Sequence, residues 1–335
     1  TERIEDAIKR YGSRIDDLLR EVIPPGQADY LSEPIWHHLS TGGKRIRPAL
    51  CLITCEALGG NPEHALPFAV AVEILHNMFL LHDDIEDGDT MRRDQPTVWV
   101  KFGLANGINA GDYLLARAYS CVLKCPVSAE KQLKLLDVFT STCEKTIQGQ
   151  ALDINARGRE NFTTDDYMRL VELKTGGYLA FGMVGGAVVA GAAEGVIEKL
   201  WSFGKTMGPA FQIRDDMIDL TAGKGRGGAI GSDIKEGKPS FLYAHTCRVA
   251  TEAQRQRLRR IMLKPREKTT DADVRWVLKL YEKHGALAAA QARADSLVAQ
   301  AFKTIDELPL QDADPSRPAK QVFRDIAAFM ARRTT

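Results

Sequence analysis

Residues 73–87 read EILHNMFLLHDDIED, an apolar run of helical spacing that ends in packed carboxylates. A second stretch, FQIRDDMID at 211–219, ends the same way. Each contains the pattern D-D-x-x-D: Asp83, Asp84 and Asp87 in the first, Asp215, Asp216 and Asp219 in the second. At 3.6 residues per turn, the outer aspartates of each set lie about 40° apart on one helix face. Like charges at that spacing weaken a helix. Both sets also fall at C-terminal helix ends, where the macrodipole disfavours anions. Folding alone gives no reason for either cluster. Hard divalent cations such as Mg²⁺ prefer carboxylate oxygen and would relieve the repulsion. Two such clusters facing each other would make a polynuclear Mg²⁺ site, a clamp for a diphosphate.

Helical periodicity extends outward from these stretches over nearly the whole chain. Ile4, Ile8, Tyr11, Ile15, Leu18 and Val22 form one apolar stripe, stopped by Pro24-Pro25-Gly26. Further helices are expected over 48–58, 62–86, 110–125, 129–157, 164–173, 177–193, 195–220, 240–263, 272–284, 286–305 and 319–331. Residues 221–239 read as a loop rich in Gly and Lys, and Lys174-Thr175 as a helix break before glycines. No run alternates as a strand would. The expectation is an all-α fold: one domain over residues 1–335, a large helical bundle with a central cavity between two aspartate-rich helices.

With 45 basic and 44 acidic residues the formal net charge is +1, which excludes bulk attraction to nucleic acid or anionic lipid. A bound polyanion must be held by local cations. The six cysteines include Cys51/Cys55 and Cys121/Cys125, each pair four apart, but none has zinc-ligand spacing, so they read as small buried hydrophobes. The first ten residues are charged and amphipathic, unlike a signal peptide. Residues 178–193 are short for a membrane span and crowded with glycine, so they read as a buried helix. A cytoplasmic protein with no integral membrane segment is expected.

The cations complement the carboxylates. Thr41-Gly42-Gly43-Lys44-Arg45-Ile46-Arg47-Pro48 is a glycine turn with three cations running into a helix. Turn amides and a helix N-terminus bind phosphate, and Lys and Arg add charge-assisted bonds. Arg92-Arg93 directly follow the first acidic cluster and could grip diphosphate oxygens by bidentate bonds, or else pair with Glu86 or Asp89. Lys174 and Lys238 each read, alone, as solvated surface residues.

Taken in order, GGKRIRP (42–48), EILHNMFLLHDDIEDGDTMRR (73–93), GQALD (149–153), KTGG (174–177), FQIRDDMID (211–219) and GSDIKEGK (231–238) resemble the trans-isoprenyl diphosphate synthases of the polyprenyl synthetase family. The likeness runs from about residue 35 to 245. It implies prenyl transfer from an allylic diphosphate to isopentenyl diphosphate, with three Mg²⁺ per site and Mn²⁺ as a substitute. Asp83, Asp87 and Asp215 would ligate metal, with Asp84, Asp216 and Asp219 ligating it or orienting its waters. Lys44, Arg47, His76 and Arg93 would hold isopentenyl diphosphate. Arg92, Lys174 and Lys238 would hold the allylic diphosphate, near Thr175 and Gln212, with Gln150 and Asp153 in support. The resemblance further implies a homodimer. One departure stands out: the family's lysine two residues before the glycine of G-[ST]-D is Ala229 here, with Lys224 or Arg226 as possible stand-ins.

Product length would be set by what the growing tail meets beneath the first cluster. Phe79 lies one helical turn from Asp83, Met78 beside it and Leu75 a turn further along, which argues for a C15 to C20 product. Three other readings use the same residues. A metal-dependent phosphohydrolase would employ His82-Asp83 with His64 or His76. A class I terpene cyclase would carry a different second metal motif. A catalytically weak partner subunit of a synthase would be expected to lose carboxylates that this chain keeps.

Overall fold

The computed structural model describes residues 2–157, 159, 161–221, 230–311 and 319–331. It contains two compact units, each assembled from separate stretches of chain. The first comprises Thr1–Ser141, Phe181–Leu200 and Leu308–Asp325; the second comprises Thr142–Ala180, Trp201–Glu307 and Ile326–Thr335.

The first unit begins with α1 (Glu2–Val22), α2 (Ser32–Leu39), α3 (Ile46–Ala57) and α4 (Pro62–Glu86). A hairpin of β1 (Met91–Arg92) and β2 (Gln95–Pro96) leads to α5 (Val98–Phe102), α6 (Leu104–Val122) and the start of α7 (Ala129–Ala156). The central element is α4. Asn61 caps it by accepting the Glu63 N–H, and Pro62 takes the first turn, where a missing N–H does no harm. Between Ala65 and Met78 nearly every side chain is buried, so α4 is apolar all round and packs between α3 and α6.

The second unit takes α8 (Thr164–Val171), part of α9 (Gly177–Ala190), most of α10 (Glu194–Thr221), α11 (Ser232–Lys235), α12 (Phe241–Val249), α13 (Glu252–Met262), α14 (Asp271–Lys283) and α15 (Ala286–Asp306). Its core sets α12 against α15, α8 and α14, around buried Tyr167, Phe241, Tyr243 and Tyr281. Capping boxes start three of these helices: Thr163 with Asp166, Thr251 with Gln254, and Thr270 with Asp273. The last helix, α16 (Ala319–Ala331), contributes residues to both units.

The all-α expectation holds, with local corrections. The helix expected over 240–263 is two helices, because Ala250 is extended and Thr251 nucleates a new capping box. The break expected at Lys174-Thr175 is no break: Glu172–Gly176 is a π-helical turn joining α8 to α9. The helix expected from residue 110 starts at Leu104, and α9 ends at Ala190, ahead of Gly191 at φ 79°. A strand pair does occur, at the short hairpin, and α11 interrupts the expected 221–239 loop. Ala229, Lys224 and Arg226 lie outside the described residues.

Pro62–Glu86 and Thr164–Ala190 are long and apolar enough to cross a membrane, but 67% and 72% of their most apolar windows are buried inside the protein. Within the first unit, a methyl group at Gly186 of α9 would lie 2.1 Å from the Cys51 carbonyl oxygen. The glycine there serves a close helix contact within the fold.

Candidate active site

In the first unit, α4 delivers its carboxylates in its last turn. Asp87 is the C-cap, its N–H donating to the Asp83 carbonyl, and Asp83 and Asp87 are both half-buried. Asp84 is 1% exposed. Arg92 reaches back from the hairpin: its Nε donates to Asp84 Oδ1 at 2.6 Å, and its Nη2 lies 3.7 Å from Asp83 Oδ2. The pair with Glu86 or Asp89 is therefore not the one Arg92 makes.

The hairpin that carries Arg92 is pinned on several sides. Thr97 Oγ1 and Trp99 Nε1 both donate to the Asp89 carbonyl, at 2.9 and 2.8 Å. His37 Nε2 lies 2.8 Å from the Pro96 carbonyl oxygen. At the tip, Arg93 and Asp94 have φ of 49° and 62°, a left-handed pair that two-residue hairpin turns require and side chains resist. Arg93 Nη1 then donates to Thr41 Oγ1 at 3.3 Å, on the glycine turn. Lys44 of that turn is exposed, and Arg47 is half-buried with Nη1 3.5 Å from His76 Nε2. Burial, reinforced by Arg47 and Arg93, pushes His76 well below the ordinary imidazole range, so it is neutral at physiological pH. Lys44, Arg47, His76, Arg92 and Arg93 thus all belong to one unit. Phe79 is half-buried on α4, whereas Met78 and Leu75 are 2% and 0% exposed among the core side chains.

The second unit holds a pocket lined by Asp153, Tyr167, Lys174, Thr175, Gln212, Asp216 and Lys238. Lys174 is presented by the π-helical turn, whose extra residue re-aims side chains relative to a regular helix. Its Nζ donates to Asp153 Oδ2 at 2.6 Å. Burial tends to raise the Asp153 carboxyl, but Lys174 and Lys238 outweigh it and hold it below the usual range, as an anion. Gly149 lets α7 approach: a methyl there would sit 2.4 Å from the Lys174 backbone nitrogen. On α10, Asp215 is half-buried, and Asp216 is buried with both oxygens engaged, accepting from Tyr167 Oη at 2.7 Å and Gln212 Nε2 at 3.0 Å. Asp219 is fully buried and its Oδ2 accepts the Asp233 N–H at 3.1 Å, tying the end of α10 to the segment that leads to Lys238.

The donor chemistry fits a hard cation. Asp84 Oδ2 is buried and has no hydrogen-bond partner among the described residues. Burial pushes this carboxyl up to about 6, although Arg92 opposes the rise. A buried carboxylate oxygen with lone pairs to spare is a ligand that Mg²⁺ takes well. Among the described residues, no three Asp, Glu, His or Cys side chains already converge as a finished ligand set.

The phosphohydrolase reading loses its histidine, since His82 Nε2 turns to α6, 3.3 Å from the Ile108 carbonyl and 3.8 Å from Asp112. Sequence reasoning also missed several participants. Tyr167 and the pairing of Arg45 with Glu73 and Asp16 belong to no short motif. The aspartate-lysine pair of Asp153 and Lys174 was detectable only through the family pattern.

Residues 28–281 match the polyprenyl synthetase family. The chain is 34% identical over 331 residues to a short chain isoprenyl diphosphate synthase of Methanothermobacter thermautotrophicus, covering 98% of each. It is 39% identical over 238 residues to a geranylgeranyl diphosphate synthase of Methanosarcina mazei, covering 71% of this chain and 74% of the relative. Among solved structures it resembles the geranylgeranyl pyrophosphate synthetase from Pyrococcus horikoshii, with a TM-score of 0.89, 32% identity and 99% of each chain covered. These relatives are synthases, and nothing in them supports a hydrolase or an inactive partner. The chain belongs to the polyprenyl synthetase family and is a prenyltransferase of isoprenoid biosynthesis with the all-α isoprenoid synthase fold.

Proposed function

We propose that this enzyme condenses isopentenyl diphosphate with an allylic diphosphate, head to tail, releasing pyrophosphate and a trans-prenyl diphosphate of C15 to C20. The observation that supports it most is the run of anion-binding groups along the first unit: Arg47 against His76, Arg93 on Thr41, and Arg92 on Asp83 and Asp84. Lys44, Arg47, His76 and Arg93 bind isopentenyl diphosphate, and the neutral His76 donates one ring N–H to it. Arg92, Lys174 and Lys238 bind the allylic diphosphate, with Thr175 and Gln212 beside it and Asp153 fixing Lys174.

The two aspartate clusters, Asp83, Asp84 and Asp87 with Asp215, Asp216 and Asp219, supply carboxylate oxygen to divalent cations. When bound, these cations neutralise charge on the departing diphosphate. We take them to be Mg²⁺, three per site and replaceable by Mn²⁺. Asp216 is oriented by Tyr167 and Gln212. The allylic C–O bond breaks, the isopentenyl double bond forms the new C–C bond to the allylic carbon, and the proton lost from the adduct passes to the released pyrophosphate. Arg92 and Lys174 stabilise negative charge as it develops on the leaving group. Apolar side chains must exclude water, which would quench the cation.

A cytoplasmic homodimer is part of the same reading. It is supported by six cysteines that are all free thiols and by exposed Leu104 and Ile108 on α6 and Leu133 on α7. The deciding experiment is incubation with isopentenyl diphosphate, Mg²⁺ and each of the C5, C10 and C15 primers, with products identified by mass. Elongation to C15 or C20 is expected; failure with every primer overturns the proposal in favour of a partner subunit.

A further inference from the structure

The turn at 42–47 carries three cations: Lys44 is exposed, Arg47 is half-buried against His76, and the third is Arg45. Its guanidinium folds inward: Nη1 donates to Glu73 Oε1 at 2.6 Å and Nε to Asp16 Oδ1 at 2.9 Å. The Arg45 side chain is 11% exposed and that of Glu73 5%. The backbone pays conformationally for this placement, since Arg45 is the N-cap of α3 at φ 48°, a region L-residues avoid. Gly43 makes room for it: a methyl at that position would lie 2.9 Å from Arg45 Nη1.

Two cross-links therefore join the start of α3 to α4. Arg45 reaches Glu73, and Arg47 reaches His76. Glu73 and His76 are three residues apart, close to one helical turn. The first link is buried and charge-assisted; the second is longer and half-open. The Glu73 carboxylate is itself oriented, because Asn77 Nδ2 donates to Oε1 at 3.1 Å and to the Glu73 carbonyl at 2.8 Å. Fixing Arg45 on Glu73 fixes where Arg47 falls along α4 relative to His76, and how the turn just before it displays Lys44.

We propose that Arg45 is a positioning residue for isopentenyl diphosphate: its bridge to Glu73 and Asp16 sets the turn that aims Lys44 and Arg47, while Arg45 itself makes no contact with substrate. This rests on the reading that Lys44, Arg47 and His76 bind isopentenyl diphosphate. Lysine cannot take over the role, since one ammonium lacks the planar fork that spans carboxylates on α1 and α4.

The test is steady-state elongation with the full chain, varying isopentenyl diphosphate and allylic primer separately, alongside thermal melts. Arg45→Lys is expected to raise KM for isopentenyl diphosphate about tenfold or more, leaving kcat and the primer KM within about twofold, because only the aim of one subsite is lost. In Arg45→Ala, added methylguanidinium should restore part of the lost affinity for isopentenyl diphosphate and leave the primer KM alone. An Arg45→Lys enzyme with unchanged KM for isopentenyl diphosphate overturns the proposal. So does a uniform fall of kcat and both affinities together with the melting temperature, which marks a merely structural role. Active parent enzyme with either of those results overturns the positioning role alone; parent enzyme that elongates no primer overturns the functional reading and this one with it.

Discussion

Asp84 is where burial and the proposed cation site meet in one side chain. It is buried, one oxygen is held by Arg92, and its carboxyl is pushed up to about 6 from an ordinary 3.8 by burial, with Asp89 and Asp83 adding to the rise. Under the proposed role, a cation binding there would have to displace that proton. At limiting Mg²⁺, elongation should therefore fall as pH drops through about 6 and recover with excess Mg²⁺, as pH-rate profiles at two metal concentrations would reveal. The sign for stability is opposite. In cation-free protein the Asp84 contribution is fully present below the ordinary value of 3.8 and is lost as pH rises through about 6. Phe79 offers a second test at this scale. It is the half-buried member of the Leu75, Met78 and Phe79 set, so Phe79→Ala should lengthen the product by at least one isoprene unit, read by mass. Unchanged length would dismiss its role as a floor.

Among the elements, the π-helical turn matters most for chemistry. It seats Lys174 on Asp153, and α7 can approach only because residue 149 is glycine. Gly149→Ala must displace backbone, since its methyl would meet the Lys174 nitrogen at 2.4 Å. Destabilisation of about 1–3 kcal/mol is expected from such overpacking, together with a raised KM for the allylic primer. Denaturant melts and initial rates check the two parts separately. The Arg92-Arg93 hairpin is a further element that holds strained backbone. Arg93 and Asp94 both occupy left-handed φ, and the anchors at Asp89 and Pro96 hold them there. Asp94→Gly should change stability by less than about 1 kcal/mol, because relief of that strain is offset by the extra freedom glycine gives the unfolded chain, at some loss of precision in Arg93 that appears as a higher KM for isopentenyl diphosphate.

At the scale of the whole molecule, ligand linkage is the informative measurement. If the aspartate clusters hold cations as proposed, their mutual repulsion is relieved on binding. Chelation of divalent cations should abolish elongation, and Mg²⁺ should restore it. Mg²⁺ with pyrophosphate at about a hundred times its dissociation constant should stabilise the fold by about 2.7 kcal/mol, seen as a higher melting temperature than with either alone. Much of this molecule was legible in its sequence. Helical periodicity, prolines and glycines act within a few residues, so the all-α class and most helix positions followed from local spacing. Both D-D-x-x-D clusters and the 42–48 turn were visible because their chemistry needs particular residues at short intervals. Tertiary packing decided the pairings. Arg45 turns to Glu73 and Asp16, Tyr167 finds Asp216, and His82 turns away to α6, because each partner lies far along the chain and only helix packing brings it within hydrogen-bond reach.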